Sequence, residues 1–286
     1  GPHISAKDPE AAKYLLKETQ EKVKGNYLKV MRWGDIKKNR PKNMKISPVA
    51  MIPHKSRDYR CILDLSFQLK VNNEKMPSVN SATNPKAPKM AMTQLGICMK
   101  RIIDNMANHH DKNHPFWFSK CDIKDGYWRM NNNKNDAWNF CYILPTEAKT
   151  LDDIEIIVPN SIQMGWNESP PNFCTARETA RDVAETYKTK FENIPPHPLE
   201  EYLQPKSSTD KEYKPEPDKE TNLLEVFIDD FINATNNTTK ENLLHTARAT
   251  LHGIHALFPP PHISKHCGED PISNKKLKQN EGLFEY

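Results

Sequence analysis

Apolar positions recur every three to four residues in some stretches of this chain and alternate in shorter ones, a pattern that predicts mixed helices and strands. Residues 8–24 read as an amphipathic helix, with Asp8 as N-cap, Pro9 at the first helical position and Gly25 as the stop. Residues 46–52 and 59–65 read as two strands joined by a polar turn from His54 to Asp58, and residues 72–90 as mostly irregular. Helical spacing returns over 92–108 through Leu95, Met99, Ile102, Ile103 and Met106. Strands are expected at 116–123, 138–144 and 154–162, and a helix at 170–190 with Ser169 as N-cap. A last amphipathic helix spans 240–257 and is stopped by Pro259-Pro260-Pro261.

Between the last two helices, residues 223–233 read Leu-Leu-Glu-Val-Phe-Ile-Asp-Asp-Phe-Ile-Asn. Neighbouring side chains on a strand point to opposite faces, so Asp229 and Asp230 serve one site only if the backbone bends there. A hairpin with its two-residue turn at Asp229-Asp230 supplies that bend; an Asp-Asp turn that merely closes a hairpin has the same pattern. In the 116–123 strand, Phe116, Phe118, Lys120 and Asp122 share a face, and Asp122 arrives just before the turn signal Asp125-Gly126. If the two strands are neighbours, three carboxylates meet. Such a cluster repels itself unless cations neutralise it, and an all-oxygen donor set suits magnesium. Two such ions about 4 Å apart serve phosphoryl or nucleotidyl transfer, by activating a hydroxyl and stabilising the leaving oxygen.

Charge distribution adds a substrate class. Residues 1–60 hold 15 Lys and Arg against 6 Asp and Glu, a net of +9, which suggests a polyanion such as nucleic acid. Residues 191–221 hold six prolines, alternating charge and few large apolar groups, and are expected to be a poorly ordered insertion. No apolar run is long enough to span a membrane and no signal-peptide pattern opens the chain, so an intracellular location, cytoplasm or nucleus, is expected. The opening Gly-Pro reads as a piece of a longer polypeptide or a cloning remnant. Six cysteines without a Cys-x-x-Cys pair do not form a disulfide framework or a four-cysteine zinc site. His252, His255, His262, His266 and Cys267 are dense enough to raise zinc, but three prolines interrupt them, and they read better as a helix face and a loop.

Four motifs now carry a resemblance. Phe118-Ser-Lys-Cys-Asp122-Ile-Lys-Asp125-Gly126-Tyr127 resembles the first catalytic motif of reverse transcriptases, in the form usual for LTR retrotransposons. Val226-Phe227-Ile228-Asp229-Asp230 is similar to that family's aromatic-x-Asp-Asp hairpin, and Met164-Gly165-Trp166-Asn167-Glu168-Ser169-Pro170-Pro171 to the motif between them. Tyr59-Arg60-Cys61-Ile62-Leu63-Asp64-Leu65 resembles the fingers strand, with Lys55 five residues before Arg60. The motifs stand in the family's order. Met164 occupies a position where retroviral members carry Gln, and the 191–221 insertion separates the later motifs more than usual.

The resemblance implies an α+β right-hand polymerase. Its palm is an antiparallel sheet with helices on the face away from the aspartates, over 91–130, 168–190 and 222–258. Interleaved fingers take 41–90 and 131–167. An N-terminal helical extension spans 1–40 and a polar tail 259–286, with the thumb and primer grip absent. Asp122, Asp229 and Asp230 would bind two Mg2+ ions, or Mn2+. Lys55, Arg60, Asp125, Gly126, Tyr127 and Gly165 would contact the nucleotide, Tyr127 by blocking a ribose 2′-hydroxyl. Trp166, Ser169 and Pro170 would position template and primer. The implied partners are an RNA or DNA template-primer, deoxynucleoside triphosphates and the protease, ribonuclease H and integrase domains of the same polyprotein, with no membrane. The implied activity is template-directed DNA synthesis; the rival is an inactive nucleic-acid-binding remnant of a retroelement.

Overall fold

The computed structural model describes residues 1–55, 57–114, 116–190, 194–203, 212–263, 268–272 and 277. In chain order the elements are α1 (Pro9–Lys24), β1 (Leu28–Arg32), α2 (Trp33–Ile36), β2 (Val49–His54), β3 (Arg57–Leu63), β4 (Lys70–Val71), β5 (Glu74–Lys75), α3 (Val79–Ala82) and α4 (Met90–Asn108). Then come β6 (Trp117–Asp122), β7 (Tyr142–Ile143), β8 (Glu155–Pro159), α5 (Ser169–Lys188), β9 (Asn222–Phe227), β10 (Asp230–Thr235) and α6 (Lys240–Leu257). The class is mixed α+β with small antiparallel sheets. No helix among the described residues is long and apolar enough to cross a membrane.

The chain divides into two compact units. The first takes Gly1–Ala87, Tyr127–Pro170 and Ser264–Glu269; the second takes Pro88–Gly126, Pro171–Ile263 and Asp270–Tyr286.

In the first unit, α1 starts where Asp8 Oδ1 accepts from the Glu10 and Ala11 amides, both at 3.1 Å. Its end is made by Asn26 rather than Gly25: Asn26 has φ +60, and the Tyr27 amide returns to the Lys22 carbonyl at 2.9 Å. Ala11, Leu15, Thr19 and Lys22 form its buried stripe. β8 is the centre of the sheet β1-β8-β7, and β2 pairs with β3 in a separate hairpin. Leu15, Leu28, Met51, Leu63, Phe140 and Ile157 share one core cluster. The 138–144 strand shrinks to β7, because a 3-10 helix at Asp136–Phe140 buries Ala137 and Phe140 at a spacing of three. Within the stretch expected to be irregular, Asn72 and Asn73, at φ +50 and +65, turn the small β4–β5 hairpin in the manner of a type I′ turn.

The second unit is built on the antiparallel sheet β6-β10-β9, with β10 in the middle. Phe231, Ile232, Asn233, Ala234 and Thr235 are all buried, so both faces of β10 are covered. α6 lies on one face, where Asn233 Nδ2 donates to Thr250 Oγ1 at 3.1 Å. α4 lies on the other, its Cys98 and Ile102 clustered with Ile232, Phe118 and Leu223. This corrects the expectation of helices on one face only: the alternation of β6 puts Phe118 on the side of Asp122, so α4 shares the face that carries the aspartates. α5 and α6 cross closely at Gly253, where an added Cβ would stand 2.6 Å from the Ala184 Cβ.

The expected insertion also needs correction where it is described. Glu200 takes two hydrogen bonds from Arg248 of α6, at 2.7 and 2.9 Å. The Tyr213 ring stacks on His114 at 3.6 Å, and the Tyr213 amide donates to Thr238 Oγ1. His197 Nδ1 accepts from the Leu199 amide, so its Nε2 carries the proton toward His255 Nδ1 at 2.9 Å. His255 Nε2 in turn donates to Asp270 Oδ1 at 3.0 Å. Both ring nitrogens of His255 are thus engaged, and His252 Nε2 contacts the Pro195 carbonyl, an arrangement that accounts for two of the five residues weighed for zinc. His266 and Cys267 lie outside the described residues.

Candidate metal centre

β6 ends at Asp122 because the strand's last register position pairs it directly with Asp230, the first residue of β10. The ladder extends one bond further, from the Ile123 amide to the Asp229 carbonyl at 3.0 Å. Phe227 and Asp230 form the closing pair of the hairpin. Its two-residue turn is therefore Ile228-Asp229, one position earlier than the Asp229-Asp230 turn expected from the sequence. Ile228 has φ +56, in the left-handed region, where a β-branched side chain costs about 1–2 kcal/mol. That strained turn lets adjacent aspartates face one point.

One carboxylate oxygen from each of Asp122, Asp229 and Asp230 lies within 4.8 Å of the other two. Asp122 is buried, and the other two are half-buried. Like charges directly opposite on a sheet destabilise it, so the cluster needs a cation. Lys120 supplies one: its Nζ stands 3.1 Å from both oxygens of Asp230, with its hydrogen bond to Oδ2. Asp230 Oδ1 remains buried without a hydrogen bond. Three hard oxygen donors fit magnesium or manganese, and the set contains no nitrogen or sulfur ligand. Cys121 does not join them. Its side chain leaves the opposite face of β6, and burial, reinforced by the charges of Asp122 and Asp230, pushes its thiol up and keeps it neutral.

Behind the hairpin, Arg177 of α5 is fully buried and donates to the Val226 carbonyl at 2.7 Å, two residues before the turn. It pairs with Glu178 at 3.1 Å, while Glu225 of β9 is held by Arg101 of α4. Burial pushes the Glu178 carboxyl up, opposed by Arg181 and Arg177. The hairpin is thus held by charges on two helices. Sequence reading missed both Lys120 as an ion-pair partner and Arg177; alternation with Asp122 was a usable signal for the first, and a buried arginine on an amphipathic helix leaves none.

The other sequence-derived positions divide between the units. Asp125 and Gly126 follow the metal-centre strand in the second unit. Asp125 has φ +58, and a Cβ on Gly126 would stand 2.5 Å from the Phe173 ring, so this turn packs tightly against α5. Lys55, Arg60, Tyr127, Gly165, Trp166, Ser169 and Pro170 belong to the first unit. There Arg60 is exposed on β3, and Lys55 is exposed in the β2–β3 turn. Gly165 has φ +97, and a Cβ on it would stand 3.0 Å from the Leu63 carbonyl oxygen. Its own carbonyl accepts from Asn80 Nδ2 at 2.9 Å. Trp166 donates its indole N–H to Thr83 Oγ1 at 2.9 Å, meets Phe140 edge-on at 5.3 Å, and walls a cleft of about 260 Å3. Ser169, expected as an N-cap, is the first residue of α5, and its hydroxyl donates to the Gln163 carbonyl at 2.7 Å. Pro170 sits in the first turn of α5, where its missing N–H is no loss. Neighbouring Glu168 accepts from the Lys86 and Ala87 amides, both at 2.7 Å. No family model matches the chain, and no curated protein matches it.

Proposed function

We propose that this chain is the polymerase portion of a retroelement polyprotein that extends a primer 3′-hydroxyl on an RNA or DNA template by transfer of deoxynucleotides, with a palm formed by β6, β9, β10 and their helices. One observation carries the reading: Asp122, Asp229 and Asp230, far apart in sequence, bring a carboxylate oxygen each within 4.8 Å of the others, on the motifs that stand in reverse-transcriptase order. Asp122, Asp229 and Asp230 would hold magnesium. The bound cation supplies Lewis-acid stabilisation of the charge that develops on attacking and leaving oxygens.

The chain's own residues supply position and charge. Arg60 and Lys55, exposed on one hairpin, offer cations to a triphosphate. Gly165, whose left-handed backbone stands beside the Leu63 carbonyl, would let main chain approach a bound strand without a side chain in the way. Tyr127 follows the tightly packed Gly126 and would exclude a ribose 2′-hydroxyl, which makes deoxynucleotides the substrates. The net +9 of residues 1–60 favours a nucleic-acid partner over a small-molecule substrate.

Primer extension on an RNA template tests this. The expected result is magnesium-dependent incorporation of deoxynucleotides, lowered at least about a hundredfold in Asp229→Asn and Asp230→Asn, the scale of losing even an outer partner of a metal site. Hybrid binding without extension would make the chain an inactive nucleic-acid-binding remnant. Extension with ribonucleotides alone would overturn the deoxynucleotide assignment.

A further inference from the structure

Lys120 sits two residues before Asp122, so both side chains leave β6 on the same face. The register sets Lys120 opposite Ile232 and diagonal to Asp230. From there its ammonium reaches both oxygens of Asp230 at 3.1 Å, with the lysine side chain 33% exposed and the aspartate 24%. A divalent cation bound by Asp230 must draw on those same oxygens. A protonated amine has no lone pair and cannot itself become a ligand. Two cations at one carboxylate repel each other, so the ammonium and a divalent ion compete for its charge.

We propose that Lys120 is a resident counter-cation of the carboxylate cluster. It neutralises Asp230 until a divalent cation takes its place, and so sets how much free cation the site requires. The proposal rests on the reading of the cluster as a magnesium centre. Lysine suits this role better than arginine: it is a compact charge on a flexible stem and can withdraw, whereas a guanidinium would grip the carboxylate with two parallel bonds. The ammonium also explains how three converging carboxylates persist at the end of a sheet before any metal arrives. An ordinary structural ion pair makes the opposite prediction for metal affinity, since removing it would loosen the site and weaken binding.

The test is direct Mn2+ titration of the full chain, followed by the paramagnetic signal of free Mn2+, on the wild type and on Lys120→Met, Lys120→Arg and Asp230→Asn. Lys120→Met is expected to bind Mn2+ about fivefold more tightly, the scale of a partly exposed ion pair. Lys120→Arg is expected to bind no more tightly than the wild type. In thermal unfolding, Lys120→Met should melt below the wild type without cation and gain more than the wild type from saturating Mn2+. If Lys120→Met does not fold, Lys120→Gln carries the same expectations. Unchanged or weaker Mn2+ binding in Lys120→Met, or tighter binding in Lys120→Arg, with binding still lost in Asp230→Asn, would overturn the counter-cation role alone. Binding equal in the wild type and Asp230→Asn, or absent from both, would overturn the magnesium centre itself.

Discussion

Two antiparallel hairpins carry many of the residues that the sequence singles out, and they are built in opposite ways. The β9–β10 hairpin is clamped: α4 and α6 cover the two faces of β10, Arg177 holds the Val226 carbonyl, and the Ile123 amide holds the Asp229 carbonyl at the tip. The β2–β3 hairpin is more exposed where it is described. Its register shifts between Pro53 and His54, Ile52 is 47% exposed, and Lys55 and Arg60 project without burial. A metal centre needs carboxylates held within narrow limits while they repel one another, and burial with paired charges provides that. The triphosphate contact proposed for Lys55 and Arg60 would gain from long cations that can adapt, and both stand in solvent. The contrast implies that mutations in the first hairpin act through stability and geometry, and in the second through binding alone.

The largest effect should come from Arg177→Met. Removing a fully buried arginine leaves Glu178 with Arg181 alone and frees the Val226 carbonyl, and breaking a buried pair costs about 3–5 kcal/mol. Urea unfolding would measure it; a loss below about 1 kcal/mol would mean that the clamp is not what holds the hairpin. The cover on α6 should carry a pH dependence. Burial, aided by the nearby positive potential of His255 and His252 and opposed by Asp270 and Glu200, pushes His197 down to about 4. Below pH 6.5 the unfolded chain takes up a proton that the folded chain refuses, so stability should fall as pH drops from 6.5 toward about 4. His197→Gln should flatten that fall in urea midpoints taken at pH 7 and pH 5.

A smaller effect, of opposite sign, is expected at Ile228. Ile228→Gly relieves the left-handed strain and should raise stability by about 1 kcal/mol, while a more mobile turn lowers Mn2+ affinity. If stability and affinity both rise, the strain has no part in placing the aspartates. The smallest change in stability belongs to the open hairpin. Arg60→Ala should leave unfolding within about 0.5 kcal/mol of the wild type yet raise the KM for deoxynucleotides. A marked loss of stability there would erase the distinction between the two hairpins.

Much of the frame was legible because it depends on local patterns. α6 occupies the range that its periodicity predicted, and the Asp8 cap with Pro9 marked the start of α1. The convergence of Asp122 with the Asp pair followed from apolar runs that end in carboxylates. The turn was misplaced by one residue because no propensity would put an isoleucine in the left-handed region; only the surrounding sheet and helices impose it. The second helical cover was missed because the aspartate face was assumed to be open, and β10, Asp-Phe-Ile-Asn-Ala-Thr, mixes polar with apolar residues and lacks the unbroken apolar run that marks a strand buried on both sides. The 191–221 stretch looked unable to order because its composition is poor in large apolar groups. What holds its described parts are the Glu200–Arg248 ion pair, the Tyr213 ring stacked on His114 and the burial of Ile194 and Leu203, long-range contacts that composition does not encode.

The most direct test of the central claim is an anomalous difference map from crystals grown with Mn2+. The account predicts a peak within coordination distance of oxygens from Asp122, Asp229 and Asp230 together, and no such peak in Asp230→Asn crystals. A wild-type map with no peak among the three carboxylates at millimolar Mn2+, or with the metal bound only elsewhere, would contradict it.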